Sequence, residues 1–223
     1  AMGNQTDKIV FTSYYDDEYG GNTDWAEESF EDTEEEESTP PEATPQEGNN
    51  ETEEEESTPT SSAPQEGNSD EPEEIENIIP QAGDWKEIYI EQSENSSFDN
   101  IVIRYAKYAM TIYNSEIDIR NIDVEYGFTA FDVNAYSLVK AFNINIRNMI
   151  DDSIVLYENS LFEIENLSIE NTDADSAIVL FNKAFLSVEN INIKNGTGSG
   201  IVLFNESTID LANGEISGFD YAG

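Results

Sequence analysis

Oxygen-bearing side chains crowd one short stretch near the start of the chain, at Asp16, Asp17, Glu18, Asn22 and Asp24. Calcium takes about six to eight such oxygens, so Asp16, Asp17, Asn22 and Asp24 form a candidate Ca2+ site; the competing reading is a solvated acidic turn. Further on, Asp151-Asp152 and the pair Asp173/Asp175 could supply general acid and base. Both groups lie among turn-forming residues, and that role accounts for them without catalysis. Asp123 points outward on a strand, but Asn145, Ser168 and Asn192 occupy the equivalent later positions, so no carboxylate partners it. The chain has no His and no Cys. That excludes imidazole bases, thiol nucleophiles, disulfides and ordinary zinc or haem sites. No catalytic constellation emerges.

Aromatic residues offer a different chemistry. Tyr113, Tyr157, Phe181 and Phe204 recur at similar points along the chain, with Asn134 interrupting the series. A stack of rings inside the fold is the favoured reading, and an exposed column that stacks on sugars is the alternative. Ile178-Val-Leu-Phe181 is apolar at every position, so its alternation does not say which face points inward.

A repeated phrase must position all of these groups: Asp99-Asn-Ile-Val-Ile-Arg104, Arg120-Asn-Ile-Asp-Val-Glu125, Phe142-Asn-Ile-Asn-Ile-Arg147, Glu165-Asn-Leu-Ser-Ile-Glu170 and Glu189-Asn-Ile-Asn-Ile-Lys194. The anchoring asparagines, Asn100, Asn121, Asn143, Asn166 and Asn190, are spaced by 21, 22, 23 and 24 residues, and a weaker copy begins at Asn213. A period of this length marks a solenoid. Each repeat holds short alternating runs rich in Ile and Val, separated by Asn, Asp and Gly, which read as strands and turns. Ile119 and Ile122 both look inward although three residues apart, so the chain turns a corner at Arg120-Asn121, where Asn tolerates the left-handed conformation. Three strands joined by corners make one coil of about 22 residues. Stacked coils make an all-β, single-stranded parallel β-helix with rungs about 4.8 Å apart.

The register has an internal check. Four residues past each anchor stand Arg104, Glu125, Arg147, Glu170 and Lys194, alternating in sign at every rung. Opposite charges stacked this way contribute roughly 0.2–1 kcal/mol per pair, so Glu170→Lys is expected to cost roughly 1 kcal/mol. The next residues are Tyr105, Tyr126, Asn148, Asn171 and Asn195, a column at a turn.

These repeats resemble the right-handed, pectate-lyase-like β-helix proteins of secreted or surface-displayed microbial type. The resemblance rests on the Asn-Ile-x-Ile phrases and on Ile9-Val-Phe-Thr-Ser-Tyr-Tyr-Asp-Asp-Glu-Tyr-Gly-Gly21 with Ala82-Gly-Asp-Trp85, and covers roughly residues 8–16 and 84–223. It implies an opening coil whose two strands are joined by an acidic, calcium-loop-like turn. Gly21-Asn-Thr-Asp-Trp-Ala26 departs from that loop. It also implies that enzymes of this fold would place acidic residues on calcium beside an Arg or Lys base, or cluster carboxylates on one face. Neither set is visible here.

Ile9 and Ile101 lie 92 residues apart, one coil plus some 70 more. Residues 1–16 therefore read as the first strand, with residues 1–3 a cloning remnant. Residues 17–83 read as an insertion in the first coil, and 84–223 as the β-helix proper, continuing beyond Gly223. The insertion is low in complexity: Thr33-Glu-Glu-Glu-Glu-Ser-Thr-Pro40 recurs at Thr52–Pro59, and Glu31 to Glu74 contains no Val, Ile, Leu, Met or aromatic residue. Such a segment cannot bury enough surface to offset its ordering entropy, so it is expected to be a disordered acidic tether.

The net charge of −40 divides into −25 over residues 1–80 and −15 over the rest. It rules against nucleic acid as a partner and favours cations or basic surfaces. No apolar run approaches the length of a membrane-spanning helix. Together these features point to a non-catalytic segment of a secreted or cell-surface β-helix protein acting in adhesion, display or glycan contact, with polysaccharide or a surface protein as partner. The alternative is a fragment of a polysaccharide lyase or glycoside hydrolase whose active site lies outside this chain. An open last coil at Ile209 and Leu211 would favour end-to-end self-association.

Overall fold

The computed structural model describes Gly3, residues 7–16, Glu18 and residues 79–220. The expected disorder of the acidic insertion, and Asp17, Asn22 and Asp24 of the candidate calcium site, fall outside these residues. Thirteen strands follow in order: β1 (Ile9–Phe11), β2 (Trp85–Glu91), β3 (Glu94–Arg104), β4 (Ala106–Tyr113), β5 (Glu116–Glu125), β6 (Thr129–Asn134), β7 (Leu138–Met149), β8 (Ile154–Leu156), β9 (Leu161–Thr172), β10 (Ser176–Leu180), β11 (Phe185–Gly196), β12 (Ser199–Leu203) and β13 (Thr208–Ser217). Among the described residues there is no helix, and hence none long and apolar enough to cross a membrane.

Every pairing is parallel. The odd-numbered strands form one seven-stranded sheet, β1-β3-β5-β7-β9-β11-β13, and the even-numbered strands form a six-stranded sheet from β2 to β12. Successive rungs therefore stack as the repeat predicts. The first coil closes as expected too: Ile9 pairs with Ile101, 92 positions further along the chain. Both flanks of the insertion are held at that point, where the Ser13 hydroxyl donates to Asp84 Oδ2 at 2.6 Å and Gly83 N donates to Tyr105 O at 2.9 Å.

The long odd-numbered strands are bent, and the bend is the predicted corner. Asn100, Asn121, Asn143, Asn166 and Asn190 are the anchors, and the first three have φ of 55°, 53° and 55°. A short polar side chain that bonds locally lowers the cost of this left-handed conformation. From the fourth copy the corner changes: Asn166, Asn190 and Asn213 have no positive φ, so the bend persists there without the expected left-handed asparagine. At the sixth copy Gly214 takes φ 144° with no room for a side chain beside Ile191 O. A second corner holds Tyr105, Tyr126, Asn148, Asn171 and Asn195, all with φ between 57° and 59°. At the third corner two consecutive residues are left-handed, as at Glu158-Asn159 and Asn182-Lys183. Three corners explain why two hydrogen-bonded sheets still enclose one interior.

Alternation fills that interior. Ile117 and Ile119 before the first corner, and Ile122 and Val124 after it, are all essentially inaccessible. From the other sheet come Met110, Phe131, Ile154 and Ile178 in one column. A buried serine column, Ser115, Ser137 and Ser160, closes the third corner. Ser93 N donates to Ser115 Oγ at 3.0 Å and Ser115 N to Ser137 Oγ at 3.3 Å, so these two hydroxyls take amides that the turn would otherwise strand, while Ser160 Oγ donates to Val133 O and Tyr157 O.

The charge column is in register, since Arg104, Glu125, Arg147, Glu170 and Lys194 pair rung by rung. Its energetics differ from the expected uniform ladder. Glu125 is the hub: its side chain is only 8% exposed, and it meets Arg104 Nε at 3.1 Å and also pairs with Arg147. Lys194 reaches on to Glu215 at 3.7 Å, leaving Glu170 without an ion pair among the described residues. A long cationic side chain can lean toward only one neighbour, and Arg147 leans toward the carboxylate that water screens least. Glu125→Gln is therefore expected to cost about 2 kcal/mol, since it leaves two guanidinium groups facing a neutral side chain. Glu170→Lys falls to about 0.5 kcal/mol, from repulsion across an exposed face. Urea midpoints at low and high salt will rank the two; equal losses would mean that the charges act as an even ladder.

Candidate functional site

The repeat places two distinct surfaces on the outside of the solenoid. The first is a trough of about 550 Å³ along the Asn corner, from Lys8 to Gly214. Its floor is an amide ladder. Asn121 Nδ2 donates to Asp99 Oδ1 at 2.9 Å, and Asn143, Asn166 and Asn190 each donate to the anchor of the preceding rung at 3.0 Å. One wall is the outward column Asp123, Asn145, Ser168 and Asn192. Lys8 pairs with Asp123, and Asn145 Nδ2 donates to Asp123 Oδ1 at 2.9 Å. Ser168 and Asn192 make no side-chain hydrogen bond among the described residues. Asp123, read from sequence as a carboxylate with no acidic partner, is thus neutralised by a cation at one end of a row of uncharged polar groups.

The second surface is the outer face of the six-stranded sheet. Tyr113, Asn134, Tyr157, Phe181 and Phe204 lie along one side of it, in the order expected from sequence, with Tyr113 paired to Asn134. The rings are outside, not in the core. Tyr113 is 41% and Phe204 46% exposed, while Ile154, Leu156, Ile178 and Leu180 fill the interior beside them. The favoured reading of an internal stack is corrected by strand alternation: Ile178 and Leu180 point in, so Val179 and Phe181 point out. Outward placement does not make a sugar platform either. Tyr157 and Phe181 stack with centroids 5.1 Å apart at 7°, and Phe181 and Phe204 at 4.9 Å and 8°. Rings stacked along the axis cover one another's faces and leave mainly edges to solvent, whereas a pyranose needs a free face.

Two carboxylates sit on this same face. Asp132 stands in the column of Val155 and Val179; burial lifts its pKa above the ordinary range, against the hydrogen bond from Asn134. Asp152, from the turn before β8, is pushed up to about 6, first by burial and then by the neighbouring charge of Asp151. It accepts a hydrogen bond from Ser176 N at 3.1 Å, which opposes the shift. Both carboxylates raise the Tyr157 hydroxyl pKa, which burial lifts first. Asp151-Asp152 had a plain turn reading. Asp132 carries no such mark in the sequence, because only the rung register puts it below Val155 and near Tyr157.

The sign of the Asp152 effect follows from linkage. An acid whose pKa is higher folded than unfolded holds extra protons in the folded state between about pH 4 and 6, so its contribution falls as pH rises through that window. Asp152→Asn, which keeps an oxygen for Ser176 N, is expected to stabilise the fold at pH 7 by about 1 kcal/mol, after discounting for a half-exposed carboxyl. The difference from the parent chain is expected to vanish near pH 4. Urea unfolding of both chains across this range checks it; a constant difference would mean that Asp152 ionises freely.

Of the candidate calcium ligands, Asp16 is described and is 4% exposed. Its carboxylate accepts from Thr12 Oγ1 and from Glu18 N at 3.2 Å, and lies 3.9 Å from Arg104 Nη1. A cation there would compete with a guanidinium. Among the described residues no group of three or more acidic side chains could hold a metal ion.

Coil period, parallel register and left-handed corners define a class, the parallel β-solenoids. The chain matches the right-handed β-helix region family over residues 87–223, and it belongs to that family. No curated protein and no solved structure matches it.

Proposed function

We propose that this chain is a non-catalytic segment of a secreted or cell-surface protein and that it contacts glycan. The observation that carries the reading is the trough: a row of uncharged amides and a hydroxyl, open to solvent across successive rungs, on a chain whose net charge is −40. The side chains there present paired donors and acceptors, as sugar hydroxyls do. The acidic surround keeps the module soluble and opposes anionic partners. Affinity electrophoresis through gels cast with plant, fungal and bacterial polysaccharides tests the reading. Retardation by at least one of them is expected, and free migration through all of them would overturn it.

A second reading departs from the alternative of an active site outside this chain: it puts lyase or glycoside hydrolase chemistry on Asp132 and Asp152, which share the outer face of the six-stranded sheet and are held above their ordinary range. A group poised near 6 suits general acid work. Release of reducing ends or unsaturated products from uronate and neutral polymers, lost in Asp152→Asn, is the result it requires.

A further inference from the structure

We infer that the trough along the Asn corner takes an uncharged, hydroxyl-rich polysaccharide lying parallel to the solenoid axis. The inference rests on the glycan-contact reading above and gives it a place, a direction and a ligand class. Rungs repeat about every 4.8 Å, slightly less than the length of one pyranose unit in an extended chain, so equivalent groups stay near successive sugars over two or three rungs. Each of Asn121, Asn143 and Asn166 commits one amide N–H and one oxygen lone pair to the ladder. Each keeps one of both. The ladder fixes the orientation of those amides before any ligand arrives, which cuts the ordering cost of binding. On the wall, Ser168 and Asn192 lie free of side-chain hydrogen bonds among the described residues, and both are half-buried. Their donors and acceptors line the trough and stay available to a ligand.

Charge selects against acidic glycans. Among the described residues, the one cation lining the trough, Lys8, is already paired with Asp123. A uronate carboxylate lying farther along would face neutral amides; two residues on along the same strands, Arg147 and Lys194 are already paired with Glu125 and Glu215, and Glu170 adds negative charge. Desolvating it without a cationic partner is unfavourable. A neutral chain loses nothing in this way. The aromatic face offers no rival platform, since its ring faces are already stacked against one another.

The test is titration of the whole chain, labelled with nitrogen-15, with neutral β-linked hexasaccharides (gluco-, xylo- and manno-) and separately with hexagalacturonate. Side-chain amide resonances of Asn143, Asn145, Asn166 and Asn192 are expected to shift with at least one neutral hexamer, with affinity that rises with chain length. The triple variant Asn145→Leu, Ser168→Val, Asn192→Leu alters only outward strand positions and is expected to bind roughly tenfold more weakly or worse, equivalent to about 1.4 kcal/mol. If that variant fails to fold, the map of shifts in the parent chain decides alone. Binding of hexagalacturonate only, or shifts confined to the face carrying Tyr113, Asp132 and Phe204, overturns the inference but leaves glycan contact standing. Capture of an extended peptide in the trough, with sugars inert there, also overturns it. Failure of every polysaccharide to retard the chain overturns the glycan-contact reading itself.

Discussion

Phe162→Ala is expected to destabilise the solenoid by about 3–5 kcal/mol, more than any other single substitution proposed for this chain. Phe162 is fully buried on β9, and its ring meets Phe131 of β6 edge-on, with centroids 5.4 Å apart at 69°. The pair ties the two sheets together across the interior. Val139 and Leu186 stand directly below and above Phe162 in its own sheet. Both are fixed by ladder hydrogen bonds on either side, so the rungs cannot slide together to fill the space. The cost therefore combines the transfer of a phenyl ring with a cavity that stays open. Phe162→Leu keeps most of the volume and is expected to lose less than about 1.5 kcal/mol. Urea unfolding followed by tyrosine fluorescence checks both. A loss under about 1 kcal/mol for the alanine variant would show that neighbouring coils collapse into the gap. A reduced slope with denaturant would show that the solenoid unfolds in segments, as arrays of locally stabilised repeats can.

These two rings also mark the limit of what the sequence reveals. In a parallel stack each residue sits directly over its equivalent one coil earlier. Counting from the asparagine anchors therefore yields the register of Arg104, Glu125 and Arg147 without any structural information. The corners are legible for the same reason, because Asn adopts a left-handed backbone at lower cost than other residues with a side chain. The direction of the aromatic column is not legible. Val155 and Val179 point outward yet are buried, at 8% and 4% exposure, so no outward polar residue breaks the apolar run Ile178–Phe181. The interior aromatics, Phe131 and Phe162, stand alone in their columns and leave no periodic trace. The trough is half legible: Asn121, Asn143 and Asn166 are visible as corners, but their linkage into one amide ladder depends on side-chain directions. The raised pKa of Asp132 is beyond sequence, because one carboxylate among 49 acidic residues gains its character only from what packs around it.

The ladder gives the second large effect, and its variants separate backbone strain from hydrogen bonding. Asn143 has φ 55°, donates to Asn121 Oδ1 and accepts from Asn166 Nδ2, both at 3.0 Å. Asn143→Ala removes both bonds and places a residue with a Cβ, and without local polar compensation, in the left-handed region. The bonds are worth roughly 0.5–1.5 kcal/mol each, toward the lower end because water in the trough reaches the stranded groups. The backbone adds about 1 kcal/mol. The total expected loss is about 2–3 kcal/mol. Asn143→Gly loses the same two bonds but fits the corner freely, and is expected to recover about 1 kcal/mol of that loss. Asn213 is the control: it has no positive φ and donates only to Glu189 O at 3.3 Å, so Asn213→Ala is expected to cost under about 1 kcal/mol. Urea midpoints of the three variants order them as Asn143→Ala, Asn143→Gly, Asn213→Ala from most to least destabilised. If glycine at 143 proves as costly as alanine, the corner is held by the amide ladder alone and the left-handed backbone contributes nothing to the choice of asparagine.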